Sequence, residues 1–402
     1  MELFPLSTNT TTADGDALDQ GGISAEQPRD VTGDNLRRWL ALTPETAEEP
    51  DRPIIDPHHH LWDRRPRPDA EADARTHHRY LADDLIQDIR GGGHNVIDTV
   101  FVECRSMYRQ DRDDPLRSVG ETEFVQGVAA VAASGLYGEN VRCCGGIVGF
   151  ANLTLAADVE PVLRAHMAAG ANFRGIRHAH GWHPSPDIAN SHHPTRDIEG
   201  LLGKADYRAG FAVLDELGLT FDSWGFHTQL TELADLARVF PRTTIILNHI
   251  GGPMAYGPYT GQRETTVFDD WKAAMRVVAP CDNVVVKVGG CGMPTYGFGH
   301  EKLPDGPPDS TTLARDWKPY FEFVIGEFGA ERCMFESNYP VDKVSCSYVS
   351  MWNAFKRIAD ELSLTSIEKN DLFYGTAARS YSIALNDNLN GGLSAPAPSA
   401  IA

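Results

Sequence analysis

Residues 54–63, with the sequence IIDPHHHLWD, decide the fold of this chain. The segment begins as an apolar, β-branched run and ends in polar side chains, which is typical of a buried strand whose carboxyl end opens into a site. Because successive side chains of a strand alternate between its two faces, His58 and His60 are predicted to point the same way and His59 the opposite way. Asp56 is expected on the face of His58 and His60, one layer deeper.

Seven further segments share this apolar, β-branched character, and each of the eight is followed by a longer amphipathic run. The predicted strands are residues 53–60, 96–104, 143–152, 172–178, 219–224, 243–249, 283–289 and 332–337. The predicted helices are residues 79–90, 121–137, 158–169, 205–217, 229–240, 268–279, 314–328 and 348–362. This alternation predicts an α/β protein with the (β/α)8 TIM barrel fold. A doubly wound open sheet is the alternative, but it rarely needs eight such units, and no GxGxxG follows the first strand.

The predicted barrel is a single domain over residues 53–385, flanked by two polar segments. Residues 1–52 are acidic and rich in Thr, Asp and Gly, and we expect a mostly disordered N-terminal arm with one helix near residues 35–42. An extension that contacts another subunit is the alternative for this arm. Residues 386–402 are rich in Gly, Ala, Pro and Ser and are predicted to be a disordered tail.

The composition excludes several classes of protein. The 402 residues carry 36 Lys and Arg against 56 Asp and Glu, a formal net charge of −20. Nucleic acids and anionic membranes are bound by basic surfaces, so neither is an expected partner. The first residues lack the regions of a signal peptide, and the seven cysteines form no CxxC pair, which favours a cytoplasmic enzyme with reduced thiols.

Polar side chains lie at the ends of seven of the eight predicted strands, and four of these ends carry histidine. One such end is expected by chance, but seven are hard to explain by solvation alone. Two imidazoles on one face at the mouth of a barrel are a natural half-site for Zn²⁺, Mn²⁺ or Fe²⁺. His58 and His60 are therefore candidate metal ligands.

Four cationic side chains are candidates for binding a substrate carboxylate: Arg105, Arg174, Arg177 and Lys287. An arginine can bind a carboxylate bidentately, so an acidic substrate is captured locally despite the net negative charge. For Lys287, an ion pair inside the barrel with Glu103 or Glu336 is an equally weighted alternative.

Four motifs together resemble the amidohydrolase superfamily: IIDPHHHLWD, FRGIRH, GFHTQLTELADLARVFPRTTIILNHIGGP and RCMFESNYPVDK. The resemblance is to the amidohydrolase-related branch that includes sugar lactonases, 2-pyrone-4,6-dicarboxylate lactonase and metal-dependent decarboxylases. It spans residues 53 to about 385. It implies that His58 and His60 bind a metal, with His227 as a third ligand or a substrate contact. It also implies that His249 polarises the substrate carbonyl or shuttles a proton.

The chain departs from the family pattern at the end of the eighth strand. Most relatives have an Asp there, which binds the metal and acts as general base, whereas this chain has Asn338. An amide cannot accept a proton at neutral pH and is a weaker ligand than a carboxylate. The candidates for the base are Glu103, Asp342 and His249, with His249 slightly favoured.

Three hypotheses for the function follow. The first is a hydrolase that opens a lactone or related carboxylic substrate by attack of an activated water on a carbonyl. The expected divalent metal is Zn²⁺, and Mn²⁺ or operation without a metal are the alternatives. The second is a non-oxidative metal-dependent decarboxylase of a small aromatic or unsaturated acid. The third is a weakly active binding protein on the same scaffold. The expected partner is a small, carboxylated molecule, and the expected assembly is a monomer or homodimer.

Overall fold

Eight parallel strands form the centre of the protein in a computed structural model, which describes residues 34–63, 79–111, 113–138, 141–188, 198–385, 389 and 393. The strands are Pro53–His59 (β1), Asn95–Val102 (β2), Gly146–Gly149 (β3), Phe173–Arg177 (β4), Thr220–Ser223 (β5), Ile245–Leu247 (β6), Val284–Gly289 (β7) and Cys333–Glu336 (β8). Each strand pairs in parallel with the next one along the chain. The predicted (β/α)8 TIM barrel is confirmed.

One long helix follows each strand and covers the outside of the sheet. These helices are Ala82–Gly92, Val119–Ala133, Glu160–Ala169, Ala205–Glu216, Leu230–Val239, Thr266–Val278, Ser310–Phe328 and Tyr348–Glu361. Shorter elements are the helices Asp34–Leu40, Ser366–Asn370 and Thr376–Ser380, the π-helix Asp371–Gly375, and the paired strands Trp62–Asp63 and Arg79–Tyr80. The helices bury the outer face of the sheet, and the strands' own inward side chains fill the barrel interior.

Every strand is shorter than the sequence predicts, by one to six residues, and the two largest differences have a local backbone reason. The third strand was expected to begin at residue 143, but Cys144 has a φ of 58° and the strand begins at Gly146. The sixth strand was expected to reach residue 249, but it ends at Leu247, and His249 has a φ of 54°. A positive φ is incompatible with an extended strand.

The other seven pairs of neighbouring strands are joined by parallel hydrogen-bond ladders. The first and last strands, which close the barrel, are joined differently. A single isolated bridge joins His59 and Tyr339. Below it, the Asp56 carboxylate accepts hydrogen bonds from the Ser337 backbone N–H at 3.0 Å and from the Ser337 hydroxyl at 2.5 Å. The seam is therefore held largely by the side chain of Asp56.

The part of the N-terminal arm that the structure describes, residues 34–52, packs against the barrel. The Trp39 indole N–H donates a hydrogen bond to the Leu303 carbonyl at 2.9 Å, and Asn353 Nδ2 donates to Glu45 Oε2 at 2.9 Å. A helix does occur near the predicted position, at Asp34–Leu40. Residues 1–33, and the tail apart from Leu389 and Leu393, lie outside the described residues. The domain limits at 53 and 385 stay predictions.

All seven cysteines are free and buried. Within the described ranges, no helix has both the length and the apolar character needed to cross a membrane.

Candidate active site and metal centre

His58 and His60 meet at the carboxyl end of β1, as the two-residue period of the strand predicts. Their Nε2 atoms lie 3.3 Å apart, and both side chains are buried. His59 points the other way, where its Nε2 lies 2.9 Å from the Thr99 hydroxyl. The strand therefore presents two imidazole nitrogens to one point inside the barrel mouth.

An oxygen acceptor lies close to the other ring nitrogen of each imidazole. His60 Nδ1 lies 2.7 Å from the Val102 carbonyl oxygen, and His58 Nδ1 lies 2.8 Å from Glu336 Oε2. A carbonyl can only accept, so the proton of the His60 ring is assigned to Nδ1 and its lone pair to Nε2, the arrangement that metal-binding histidines adopt. His58 Nδ1 also faces the Lys287 ammonium at 3.3 Å, so an acceptor and a donor both lie against this nitrogen.

Glu336, the last residue of β8, links a third imidazole to this pair. Its Oε1 accepts hydrogen bonds from His249 Nδ1 at 2.7 Å and from the His249 backbone N–H at 3.0 Å. The ring centroids of His58 and His249 are 4.5 Å apart. One buried carboxylate thus accepts from His249 and lies against His58.

His249 lies in a left-handed turn. The four residues 249–252 all have positive φ, from 48° to 75°. This conformation costs a non-glycine residue about 1–2 kcal/mol, so His249 and Ile250 carry most of the strain. The turn aims the His249 ring into the mouth, where its centroid lies 4.9 Å from that of Trp224.

Asn338 and Asp342 form a second fixed pair after β8. Asn338 Nδ2 donates a hydrogen bond to Asp342 Oδ1 at 2.7 Å, and the Gly292 backbone N–H donates to Asp342 Oδ2 at 2.7 Å. Both oxygens of Asp342 are therefore engaged, and burial raises the pKa of this carboxyl well above its ordinary value. Asn338 Oδ1 is buried without a partner among the described residues, so the amide presents an acceptor oxygen.

Arg177 and Glu103 form a buried ion pair beside the histidines. Arg177 Nε donates to Glu103 Oε1 at 2.8 Å, and Arg177 Nη2 donates to the Glu103 carbonyl at 2.6 Å. Arg177 Nη1 lies 3.4 Å from His58 Nε2. This predicted substrate-binding cation is therefore at the candidate site, and its charge is balanced locally.

The Lys287 ammonium is fully buried in an interior ion pair, the alternative expected for it, although with an unexpected partner. Its Nζ donates to Asp222 Oδ1 at 2.7 Å and lies 3.3 Å from His58 Nδ1. The partner is Asp222 on β5, and not the expected Glu103 or Glu336. The Asp222 carboxylate also accepts from Asn248 Nδ2 at 2.9 Å and from the Tyr381 hydroxyl at 2.9 Å.

Two other predicted substrate-binding cations are not brought to the histidines. Arg174 Nε donates to the Tyr381 carbonyl at 2.6 Å, and its Nη1 donates to the carbonyl of Ala171, which precedes β4. Arg174 therefore lies towards the amino end of the barrel. Arg105 follows β2 at the mouth and is exposed.

His227, the predicted third ligand, contacts a different part of the mouth. Its Nδ1 accepts a hydrogen bond from the Met254 backbone N–H at 3.3 Å, and its ring centroid lies 5.6 Å from that of Tyr259. Among the described residues, the group whose ligand atoms all lie within 4.8 Å of one another is His58, His249 and Glu336. The structure therefore brings His249 and Glu336, and not His227, close to His58.

The donor set fits a divalent cation. Two nitrogens bound to one Zn²⁺ at about 2.0–2.1 Å with tetrahedral angles lie about 3.3–3.4 Å apart, and the His58 and His60 Nε2 atoms are 3.3 Å apart. Burial, together with nearby cations, lowers the pKa of both rings well below the ordinary value. Neutral imidazole is the form that binds metal. Arg177 also lies against His58 Nε2, so this guanidinium and a bound cation would compete for the same lone pair.

Glu121 is a buried carboxyl behind this site that the sequence did not single out. Its Oε1 accepts from the Ser106 and Cys104 backbone N–H groups at 2.8 and 3.1 Å. Burial, followed by repulsion from Glu103, raises its pKa from 4.5 to about 8. The folded protein therefore binds this proton more tightly than the unfolded chain does.

Glu121→Gln is expected to flatten the dependence of stability on pH. Because the folded pKa lies above the unfolded one, the stabilisation from this proton is complete below about pH 4.5 and is lost as the pH rises to about 8. Between about pH 5 and 8, the free energy of unfolding should fall more steeply for the native protein than for the variant. Urea denaturation across this range measures both slopes, and parallel curves would contradict the assignment.

Sequence reasoning did not select Glu336, Asp222 or Asn248 as site residues. A signal existed for Glu336, because it is the last residue of a buried strand, as His58 and His60 are close to the end of theirs. No comparable signal existed for Asp222, since its role depends on which lysine crosses the barrel to meet it.

A cavity of about 320 Å³ lies elsewhere, between helices Asp34–Leu40 and Ala82–Gly92 and the segment after β8. Its polar lining includes Asp88 and Lys343, which are paired with each other at 2.7 Å. His58, His60 and His249 do not line this cavity.

Comparisons with known proteins agree with the fold. The uncharacterized protein y4mH of Sinorhizobium fredii is 33% identical over 341 residues, which cover 82% of this chain and 98% of that protein. L-fucono-1,5-lactonase of Burkholderia multivorans is 27% identical over 187 residues, 46% of this chain and 59% of that enzyme. A crystal structure of an amidohydrolase from Burkholderia multivorans with bound zinc aligns with a TM-score of 0.57 and 23% identity, over 82% of this chain and 99% of that one. A sequence model of the amidohydrolase family matches residues 55–383, and this chain belongs to that family.

Proposed function

We propose that this protein is a metal-dependent hydrolase that opens a small cyclic ester, a lactone, bearing a carboxylate. The observation that carries the proposal is the pair of His58 and His60 Nε2 atoms, 3.3 Å apart, with a third imidazole and a carboxylate beside them. The similarity to an L-fucono-1,5-lactonase supports ester rather than amide chemistry.

His58 and His60 would hold the metal ion through their Nε2 atoms, and Glu336 lies next to His58. When bound, a divalent ion polarises a carbonyl and lowers the pKa of water towards ~7. Glu336 fixes the orientation of His58 and His249. Arg177 places a positive charge beside His58, where its guanidinium can donate hydrogen bonds to a substrate carboxylate or carbonyl oxygen.

His249 is the residue best placed to move the proton. Its Nδ1 donates to Glu336 at 2.7 Å, which leaves Nε2 to accept a proton from water and later to return it to the leaving alkoxide. Asp342 is less suited, because both of its oxygens already accept hydrogen bonds. Glu103 is engaged by Arg177.

His249→Asn is expected to abolish turnover while the protein keeps its metal. The substitution removes the proton acceptor, and loss of a general base typically costs about 10²–10⁴-fold in rate. Metal content by elemental analysis and turnover should be measured on the same sample. Asp342→Asn is the comparison variant, and near-native turnover in His249→Asn with loss in Asp342→Asn would transfer the role to Asp342.

A substrate panel tests the proposed reaction against its alternatives. Lactones with and without a carboxylate are assayed by proton release, and aromatic or unsaturated acids by CO₂ evolution. Proton release on carboxylated lactones is the expected result. CO₂ evolution would show a decarboxylase, and an inactive protein that retains tight binding of these acids would show a binding protein.

A further inference from the structure

The left-handed turn at residues 249–252 is unusual in its composition. His249 (φ 54°) and Ile250 (φ 48°) precede the two glycines. A β-branched residue such as Ile250 is a genuine outlier in this conformation. Residues with such strain persist only where the surrounding structure over-determines them, and they cluster at functional sites. The groups that hold this turn therefore affect the position of the His249 imidazole in the candidate site.

Three side chains hold the backbone of the turn. Glu336 accepts from the His249 N–H at 3.0 Å, the Tyr296 hydroxyl donates to the His249 carbonyl at 2.6 Å, and the Trp271 indole N–H donates to the Ile250 carbonyl at 2.7 Å. Glu336 also contacts the imidazoles directly. Tyr296 and Trp271 are both buried, and their hydrogen bonds are to the backbone of the turn and not to the imidazoles.

Two glycines, Gly290 beside the turn and Gly252 within it, stand where a side chain does not fit. A Cβ on Gly290 would lie 2.6 Å from the His249 Cβ, and a Cβ on Gly252 would lie 2.2 Å from the Gly225 carbonyl oxygen. Both distances are shorter than real contacts allow. The turn is thus packed closely against Gly225 and Gly290, in addition to its hydrogen bonds with Glu336, Tyr296 and Trp271.

We propose that Tyr296 and Trp271 are positioning residues, which hold the left-handed turn so that the His249 imidazole faces His58. Without either donor, a strained carbonyl loses its partner, and the turn relaxes towards ordinary backbone. The His249 ring then leaves its position against Glu336 and His58. The effect on catalysis rests on the proposed function of His249, whereas the effect on ring position does not.

Tyr296→Phe removes only the hydroxyl, and Tyr207→Phe is the matched control. Tyr207 is equally buried, and its hydroxyl has no partner among the described residues. In ¹H–¹⁵N spectra of the histidine side chains, Tyr296→Phe is expected to shift the His249 resonances and leave those of His166 in place. The control should leave both unchanged. Unshifted His249 resonances in Tyr296→Phe would overturn the proposal.

Kinetics supply a second readout that a merely structural role would not move. In Tyr296→Phe, kcat is expected to fall about 10- to 100-fold with KM changed less than about twofold, because the reacting group is displaced and the substrate contacts remain. If Tyr296→Phe does not fold, Trp271→Phe keeps the ring packing and removes the other donor, with the same expected shifts. A native protein inactive on every lactone would end the proposed function, while shifted His249 resonances would still support the positioning role.

Discussion

Replacing both His58 and His60 by alanine is expected to remove the bound divalent metal and to lower kcat/KM about 10³-fold or more. These rings supply two of the nitrogens that fit one cation, their Nε2 atoms being 3.3 Å apart. Metal ions contribute several kcal/mol to stabilising developing charge, and each ~1.4 kcal/mol is a factor of ten in rate. Elemental analysis of the purified variant and titration with Zn²⁺ and Mn²⁺ measure the loss.

His59→Gln is the matched control, because His59 lies between the other two but faces Thr99. This variant should keep metal and activity, although it can lose stability. If the double variant still binds metal like the native protein, the ligands lie elsewhere. If the native protein holds no metal and neither ion increases its activity, the metal part of the proposed function is wrong, and Arg177 becomes the group that polarises the substrate.

Glu336→Gln is expected to weaken metal affinity about 10- to 100-fold and to lower kcat at least as much. Groups that hold the second nitrogen of a metal-binding imidazole typically matter to this extent. An amide oxygen can accept from His249 Nδ1, but the NH₂ group then faces His58 Nδ1, where the native protein has a second carboxylate oxygen. Removing a buried negative charge beside Lys287 and Arg177 also raises the local positive potential, which disfavours a cation.

Calorimetric metal titration and steady-state kinetics on the same preparation test this expectation. Glu121→Gln is the control for the substitution itself, since Glu121 is another fully buried carboxyl but holds backbone amides rather than imidazoles, and its raised pKa of about 8 means that no charge is lost at neutral pH. Native metal affinity in Glu336→Gln would show that Glu336 does not orient the ligands.

The order of strands and helices was predictable because, in a parallel barrel, each strand and each helix has a distinct sequence pattern. Each strand is buried on both faces and each connection carries a helix, so apolar runs and amphipathic runs alternate without exception. The strand ends were less predictable. The side chain of Cys144 gives no signal of a positive φ, and the enrichment of His at positive φ is too weak to end a predicted strand at His249.

The candidate site was predictable where a single strand decides it. The spacing of two between His58 and His60 is enough to place them together. The same rule separates Arg174 from Arg177 on β4, because an odd spacing puts them on opposite faces, and the structure shows Arg177 inside and Arg174 outside. The partner of Lys287 was not predictable, because Asp222 is brought to it by the barrel and by no local pattern.

The seam between β1 and β8 has a consequence for how the protein is made. The carboxylate that steadies His58 comes from the opposite end of the barrel sequence, and the Asp56–Ser337 bond beside it spans 281 positions. Domains emerge from the ribosome amino end first, so a nascent chain exposes its histidines long before Glu336 exists to orient them. If His58 and His60 hold a metal as proposed, they gain the neighbouring Glu336 only in a nearly finished polypeptide, and native metal affinity would serve as a marker that the barrel has closed.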